Sequence, residues 1–405
     1  QASLEKLVAY RGAQRWFQVY DRMKIERQNQ QIRKLRPGGV YLITGGLGSV
    51  GLLVAEQLAR TLKPRLILTA RQVPPPREEW QGYLEKHGPQ DSLSARMLAV
   101  LKLEELGAEV ILSNADAGNE KEVKELVDDV YRRFGGLNGI IHAAGITSGD
   151  SLYKGYAEID QAKSEEQFGP KVYGTYALRD ALRDREFDFC VLFSSNAAVL
   201  GGLGYLTYTA ANSFMDSFAA GLAKDDARWI SASWDPWPRE TKKLGYQTSI
   251  DQYAMTLEES VEAFERIVTR YPSGRVIVAT GDLLARLNLW TATSPQQAPG
   301  VRHSRSKLAS TFVAPTNDTE RRIESIWGSV LGINNIGIHD NFFDLGGHSL
   351  LAIRLMNQVC EEFQLGLPIA KLFENPTIAG LASLVAESEQ EPKDDVLKLL
   401  AELPD

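Results

Sequence analysis

Cysteine, histidine and methionine are all scarce in this 405-residue chain, which holds two, five and five of them respectively. The two cysteines, Cys190 and Cys360, stand far apart in apolar surroundings without metal-ligand spacing. That pattern excludes a disulfide scaffold and a cysteine metal site, and it points to a reduced, cytoplasmic compartment. The chain has no secretory signal and no long uncharged apolar run, so membrane insertion is not expected. A positive excess is missing too: 52 acidic against 45 basic side chains leave a net charge of −7, which argues against a nucleic-acid binder. What is present, 43% hydrophobic residues, suffices for a large core and two folded units.

Between residues 38 and 283, short β-branched runs alternate with amphipathic stretches, the pattern of a doubly wound parallel sheet of the α/β class. Seven strands are predicted: VYLITGG from Val40, RLILTAR from Arg65, EVILSNA from Glu109, GIIHAAG from Gly139, DFCVLFSS from Asp188, ISASWDP from Ile230 and VIVATGD from Val276. Helices fit between them, for example from Val50 and from Lys121. An insertion after Arg71 that contains Pro74 to Pro76 reads as a surface loop leading into a helix near 93–106. The aromatic, β-rich segment 1–36 has no obvious closing partner and reads as the end of a preceding region of a larger polypeptide. Residues 291–317, rich in Pro, Ser and Thr, read as a flexible interdomain linker. Residues 389–405 read as a charged linker running into a short helix.

The first strand runs directly into Thr44-Gly45-Gly46-Leu47-Gly48-Ser49-Val50-Gly51 and then a helix. Strand, glycine loop and helix in that order make a dinucleotide-binding turn, in which glycines let a pyrophosphate approach the helix N-terminus. The second strand ends at Ala70-Arg71, where an acidic residue would favour the free ribose hydroxyl of NAD. Arg71 instead offers a cation for a 2′-phosphate, so the expected cofactor is NADPH.

Further along stand His142-Ala143-Ala144-Gly145, Ser194-Ser195-Asn196-Ala197-Ala198 and Tyr208-Thr209-Ala210-Ala211-Asn212. With these motifs, residues 36–282 resemble the ketoreductase domains of modular polyketide synthases, within the short-chain dehydrogenase/reductase superfamily. The resemblance rests on spacing: Ser195 lies thirteen residues before Tyr208, Asn212 four after it, and Lys171 thirty-seven before it. The general superfamily places lysine four after the tyrosine, whereas an upstream lysine with a downstream asparagine is the polyketide-type arrangement. Segment 1–36 then looks like the end of that family's structural subdomain.

Tyr208 and Asn212, one helical turn apart, can address one pocket. A phenol is a reluctant acid at neutral pH, and an ammonium beside it, here Lys171, favours the phenolate. Tyr208 is therefore the expected general acid, and Ser195, at a strand's C-terminal end, the hydrogen-bond donor to a substrate carbonyl. The resemblance further implies that Lys171 contacts the nicotinamide ribose, that Asn212 helps hold a proton-relay water, that Asp116 lies near the adenine, and that Ala143, Ala144 and Gly145 line the cofactor site. One ketoreductase subtype carries Leu-Asp-Asp where Thr147-Ser148-Gly149 stand here, and the other a tryptophan where Leu200 stands. Absence of the acidic pair points toward the second subtype, with an L-configured hydroxyl. Residues 235–255 are expected to form a lid, with Trp237 either a pocket wall or core.

The stretch DNFFDLGGHSL, from Asp340, places Ser349 after Gly346, Gly347 and His348 and before the helical run LLAIRLMNQV. On Gly-Gly-His-Ser alone, an N-cap and a site of covalent modification are both open readings. Residues 318–388, however, resemble the acyl and peptidyl carrier domains of polyketide and nonribosomal peptide synthetases along their whole length. That resemblance implies a small all-α four-helix domain whose Ser349 carries a 4′-phosphopantetheine arm. Nine acidic and four basic side chains give this segment a net charge of −5, a surface suited to docking on basic partners.

The expected organisation is thus the end of a structural subdomain (1–36), an NADPH-dependent ketoreductase (37–290), a linker (291–317), an acyl carrier domain (318–388) and a C-terminal linker or helix (389–405). The expected reaction reduces a carrier-bound β-ketoacyl thioester to a β-hydroxyacyl thioester. Expected partners are ketosynthase, acyltransferase and dehydratase neighbours and a phosphopantetheinyl transferase, in a dimeric module, with no metal, nucleic acid or membrane. Two other readings stay open: an idle reductase fold serving as a carrier scaffold, and a dehydrogenase for free small carbonyl compounds.

Overall fold

A computed structural model describes residues 7–25, 34–147, 151, 159–202, 204–238, 253–291, 303–304, 312–343, 345, 347 and 349–390. The aromatic segment at the start closes on itself: strands β1 (Val8–Arg11) and β2 (Gln14–Phe17) form an antiparallel hairpin with Val8 opposite Phe17. Alternation then begins with β3 (Val40–Thr44), α1 (Ser49–Leu62), β4 (Arg65–Thr69), α2 (Trp80–His87), α3 (Ser92–Glu105), β5 (Glu109–Ser113) and α4 (Glu120–Phe134). It continues through β6 (Gly139–His142), α5 (Gln161–Phe168), α6 (Gly174–Leu182), β7 (Phe189–Ser195), α7 (Ala197–Leu200) and α8 (Leu206–Leu222). The domain ends with β8 (Trp229–Trp234), α9 (Leu257–Arg270), β9 (Gly274–Val278) and α10 (Leu283–Thr291).

All seven predicted strands form one parallel sheet in the order β5-β4-β3-β6-β7-β8-β9. Strand β3 is wholly buried because its alternate residues enter different cores. Tyr41 and Ile43 pack on one face with α1 and α3, while Val40 and Leu42 pack on the other with α4 and α6. Burial on both faces is why such strands read as continuous apolar runs. The chain winds outward from β3 through β4 and β5, then returns to β6 on the other side. This reversal makes the β3–β6 boundary a topological switch point, where open α/β sheets bind ligands beyond the strand ends.

The insertion after Arg71 is not wholly loop. Once past the prolines it forms α2, anchored by buried Trp80, whose indole N–H donates to the Pro75 carbonyl at 2.7 Å under the Arg77 guanidinium. Three consecutive prolines mask that helix in the sequence, since they remove amide donors just before it starts.

A separate core is built by α11 (Asp318–Leu331), α12 (Ser349–Phe363), the five-residue α13 (Ala370–Glu374) and α14 (Ile378–Gln390). Asn317 caps α11 by accepting from the Glu320 amide. Within the segment read as linker, β10 (His303–Ser304) pairs in parallel with β11 (Ile333–Asn334). Trp327 is fully buried, with Phe342 edge-on at 5.2 Å. Truncating Trp327 to alanine should cost about 3–5 kcal/mol. Calorimetry should then show the helical domain's transition lowered or lost while that of the sheet domain is unchanged.

Candidate active site

Every element at the switch point converges on the C-terminal ends of β3, β6 and β7. Gly45 has φ of +67°, and a Cβ there would lie 2.9 Å from the Ala143 carbonyl and the Ala144 backbone. A Cβ on Gly51 would lie 2.4 Å from the Gly45 carbonyl. The turn is therefore closed against both the start of its own helix and the loop after β6, and only glycine fits at either place. Gly46 donates its amide to the Thr69 carbonyl, and Leu47 is buried in the core below. Gly48 forms the N-cap of α1, whose first turn, containing Val50, holds no acidic side chain. The free amides and positive dipole end there suit a phosphate.

Thr44 and His142 lie side by side in the β3–β6 register, with Thr44 Oγ1 2.7 Å from His142 Nδ1, and the Ala144 amide donates to the same hydroxyl. Burial, reinforced by Lys171, pushes the His142 imidazole down to about 3, so the ring is neutral at physiological pH.

Helices α5 and α6 are joined without a break by a π-helical turn, Gly169–Tyr173. Pro170 accounts for it: without an amide hydrogen the ordinary ladder cannot run through this position. The widened turn carries Lys171, which is only 4% exposed. Its ammonium donates to the Phe193 carbonyl at 3.0 Å and lies 5.8 Å from the centroid of the Tyr208 ring. Gly145 makes room for it, since a Cβ there would stand 2.9 Å from Lys171 Cε. Burial pushes Lys171 down to about 8 against a smaller opposing pull from Asp216.

Helix α8 supplies Tyr208, half-buried, and Asn212, fully buried one turn on. The Asn212 amide donates to the Tyr208 carbonyl at 2.8 Å, while its Oδ1 is buried with no protein partner. Ser195 ends β7 half-buried, its hydroxyl accepting from the Ala197 amide at 3.2 Å. Arg71 is exposed just beyond β4. Asp116 lies between β5 and α4, where its carboxylate accepts from the Gly118 amide at 2.8 Å.

Among the other residues singled out above, Trp237 is core, packed between Phe193 and Trp234. Thr147 is exposed and Leu200 half-buried, whereas Ser148, Gly149 and most of the expected lid (239–252) lie outside the described residues. Ser349 begins α12, but its side chain, Gly346 and His348 also lie outside them. Gly347 does show why this motif needs glycine: a Cβ there would meet the Phe342 ring and carbonyl at 2.4 Å. Among the described residues no cluster of potential metal ligands occurs, and no helix is long and apolar enough to cross a membrane.

Two polar residues of the site escaped the sequence reading. Gln167, fully buried one turn before Lys171, donates to the Ser151 hydroxyl at 3.2 Å. Asp216, buried one turn after Asn212, accepts from the Ser231 and Ser233 hydroxyls at 2.7 and 2.9 Å. Helical spacing from Tyr208 and Asn212 is the signal that finds Asp216.

Fold and site together define a Rossmann-type reductase followed by a helical carrier. Residues 39–239 match the family model described as "KR domain", and residues 321–385 that described as "Phosphopantetheine attachment site". The chain is 26% identical over 406 residues to polyketide synthase PksM of Bacillus subtilis, an alignment that covers 96% of this chain and 9% of that protein. It is 26% identical over 374 residues to the mycocerosic acid synthase-like polyketide synthase of Mycobacterium tuberculosis, covering 90% of this chain and 16% of the other. It thus spans less than a fifth of these two relatives. Among solved structures, a ketoreductase domain from the bacillaene assembly line superposes with a TM-score of 0.54 at 28% identity, covering 70% of this chain and 64% of that one. The chain carries a ketoreductase domain and a carrier domain of the modular polyketide synthase family.

A buried ammonium is a destabilising group with a pH signature. Both folded and unfolded chains hold the Lys171 proton below about pH 8, so the whole burial cost is present there. It fades between about 8 and 10.5 as only the unfolded chain remains protonated. Lys171→Met should therefore stabilise the sheet domain at neutral pH by up to about 3 kcal/mol. Thermal melts should show that gain shrinking as the pH approaches 10.5, the ordinary lysine value.

Proposed function

We propose that the reductase domain uses NADPH to reduce a β-ketoacyl thioester, held on a phosphopantetheine arm at Ser349, to a β-hydroxyacyl thioester. The observation that carries this reading is the buried Lys171 ammonium lying 5.8 Å from the Tyr208 ring, beside a glycine turn closed to everything but backbone. Thr44, Gly45, Gly46, Leu47, Gly48, Val50 and Gly51 would hold the pyrophosphate, Arg71 the 2′-phosphate, Asp116 the adenine side, and Ala143, Ala144 and Gly145 the nicotinamide side. Bound NADPH supplies the hydride. Ser195 donates to the substrate carbonyl and steadies the negative charge that develops on its oxygen. Tyr208 gives that oxygen its proton, and the Lys171 ammonium makes the phenol a stronger acid by stabilising the phenolate left behind. The unpaired Asn212 Oδ1 has capacity for one water, which would return a proton to Tyr208.

A random-coil linker of 27 residues spans about 25–30 Å, enough for the carrier to visit the reductase cleft. Tethering then replaces diffusive encounter with an effective concentration in the millimolar range. The small acidic carrier suits successive docking with basic faces of a phosphopantetheinyl transferase and of neighbouring ketosynthase, acyltransferase and dehydratase domains in a dimeric cytoplasmic module.

Tyr208→Phe should lower NADPH-dependent reduction of a β-ketoacyl thioester surrogate by about 10²–10⁴-fold while NADPH binding, read by fluorescence titration, is kept. Binding without turnover of any surrogate by the intact protein would favour the idle scaffold. Arg71→Ala should narrow the preference for NADPH over NADH by about tenfold. Mass spectrometry should detect the arm after phosphopantetheinyl transferase treatment, and Ser349→Ala should abolish it. An unmodified Ser349 in the wild-type chain would favour a reductase for free carbonyl compounds.

A further inference from the structure

Lys171 and Asp216 belong to one buried polar cluster beneath Tyr208. Four elements face the Lys171 ammonium. Strand β7 presents the Phe193 carbonyl, the β6 end presents neutral His142, and α8 presents the Tyr208 ring and Asp216. The π-helical turn that carries Lys171 brings no acid of its own. Asp216 is therefore the one carboxylate whose field acts on that ammonium.

The carboxylate itself is only 2% exposed and is held from two strands. Ser231 and Ser233 of β8 each give it one hydrogen bond. Arg275 of β9 brings Nε to 3.0 Å of Oδ2, a charge contact in which the N–H is not aimed at the oxygen. Tyr20, from the segment after the first hairpin, lies within the field of both Arg275 and Asp216. Ser194 ties the same helix down by donating to the Asn212 carbonyl at 3.3 Å. A buried carboxylate this well fixed would cost several kcal/mol if it faced no cation. It faces two, Arg275 directly and Lys171 through the site.

We propose that Asp216 is a positioning residue of the reductase site: fixed by Ser231, Ser233 and Arg275, it is the buried counter-charge that keeps Lys171 an ammonium beneath Tyr208. Asp216 touches no reacting atom and acts through Lys171 alone. Arg275 opposes it by drawing part of its field away from the lysine. The role in reduction rests on the function proposed above, but the electrostatic link does not, and it can be measured without cofactor or substrate.

The test uses the full chain, cofactor-free, labelled with [13Cε]lysine, with the Lys171 resonance identified by its loss in Lys171→Met. In Asp216→Asn the titration midpoint of that resonance should fall by about one pH unit. In Arg275→Gln it should rise, because a cation opposing the lysine charge is gone. Opposite signs from two variants that both remove a buried contact cannot come from loosened packing. An unmoved midpoint in Asp216→Asn overturns the proposal. Should that variant not fold, Arg275→Gln decides alone: a rise supports the link, and an unmoved or lowered midpoint overturns it. A midpoint that moves as expected in a chain without reductase activity would sink the proposed function and leave this link standing.

Discussion

An ammonium group buried to 4% exposure, hydrogen-bonded to a single backbone carbonyl, is the constraint on which this reductase site depends. Burying a charge this way is unfavourable, and nothing in local sequence preference favours it. The surroundings hold it in place. Pro170 opens the π-helical turn that aims Lys171 inward, Gly145 leaves the space its chain occupies, and β7 offers the Phe193 carbonyl. Such a group is at once a liability for folding and a means of making a tyrosine acidic, a combination typical of functional sites.

The remaining architecture brings that lysine to the right place. Parallel winding with a reversal between β3 and β6 sets the glycine turn, the His142 to Gly145 loop and the end of β7 along one edge. Each junction is a backbone-to-backbone approach that a single added methyl group would block, at Gly45 against Ala143 and at Gly51 against Gly45. Helix α8 then lays Tyr208, Asn212 and Asp216 along successive turns over β7, β8 and β9. Cofactor turn, proton donor and buried charge are therefore fixed to one rigid sheet.

Much of this was legible in the sequence, for reasons particular to each element. The seven strands read clearly because burial on both faces demands unbroken apolar runs, as in Leu42 and Ile43 or Val191 and Leu192. The glycine turn read clearly because strand, glycines and helix occur in order. Helix α2 was hidden by the prolines before it, and the first hairpin because its partner strand is its own neighbour. Lys171 was found by spacing alone, since its π-helical setting has no periodic signature. Asp216 was overlooked because a mid-helix aspartate resembles any solvated one until the hydroxyls of Ser231 and Ser233, fifteen and seventeen residues on, are seen to meet it.

The central claim is that this sheet edge reduces what Ser349 carries. Its most direct measurement is a single-turnover experiment on the intact chain, with a β-ketoacyl group loaded on the Ser349 arm and the carrier region followed by mass spectrometry after NADPH is added. The account expects the loaded group to gain one hydride and one proton in the wild-type chain, and to stay unchanged over the same interval in Tyr208→Phe. A loaded carrier that stays unreduced in the wild-type chain, or is reduced equally fast without Tyr208, would contradict it.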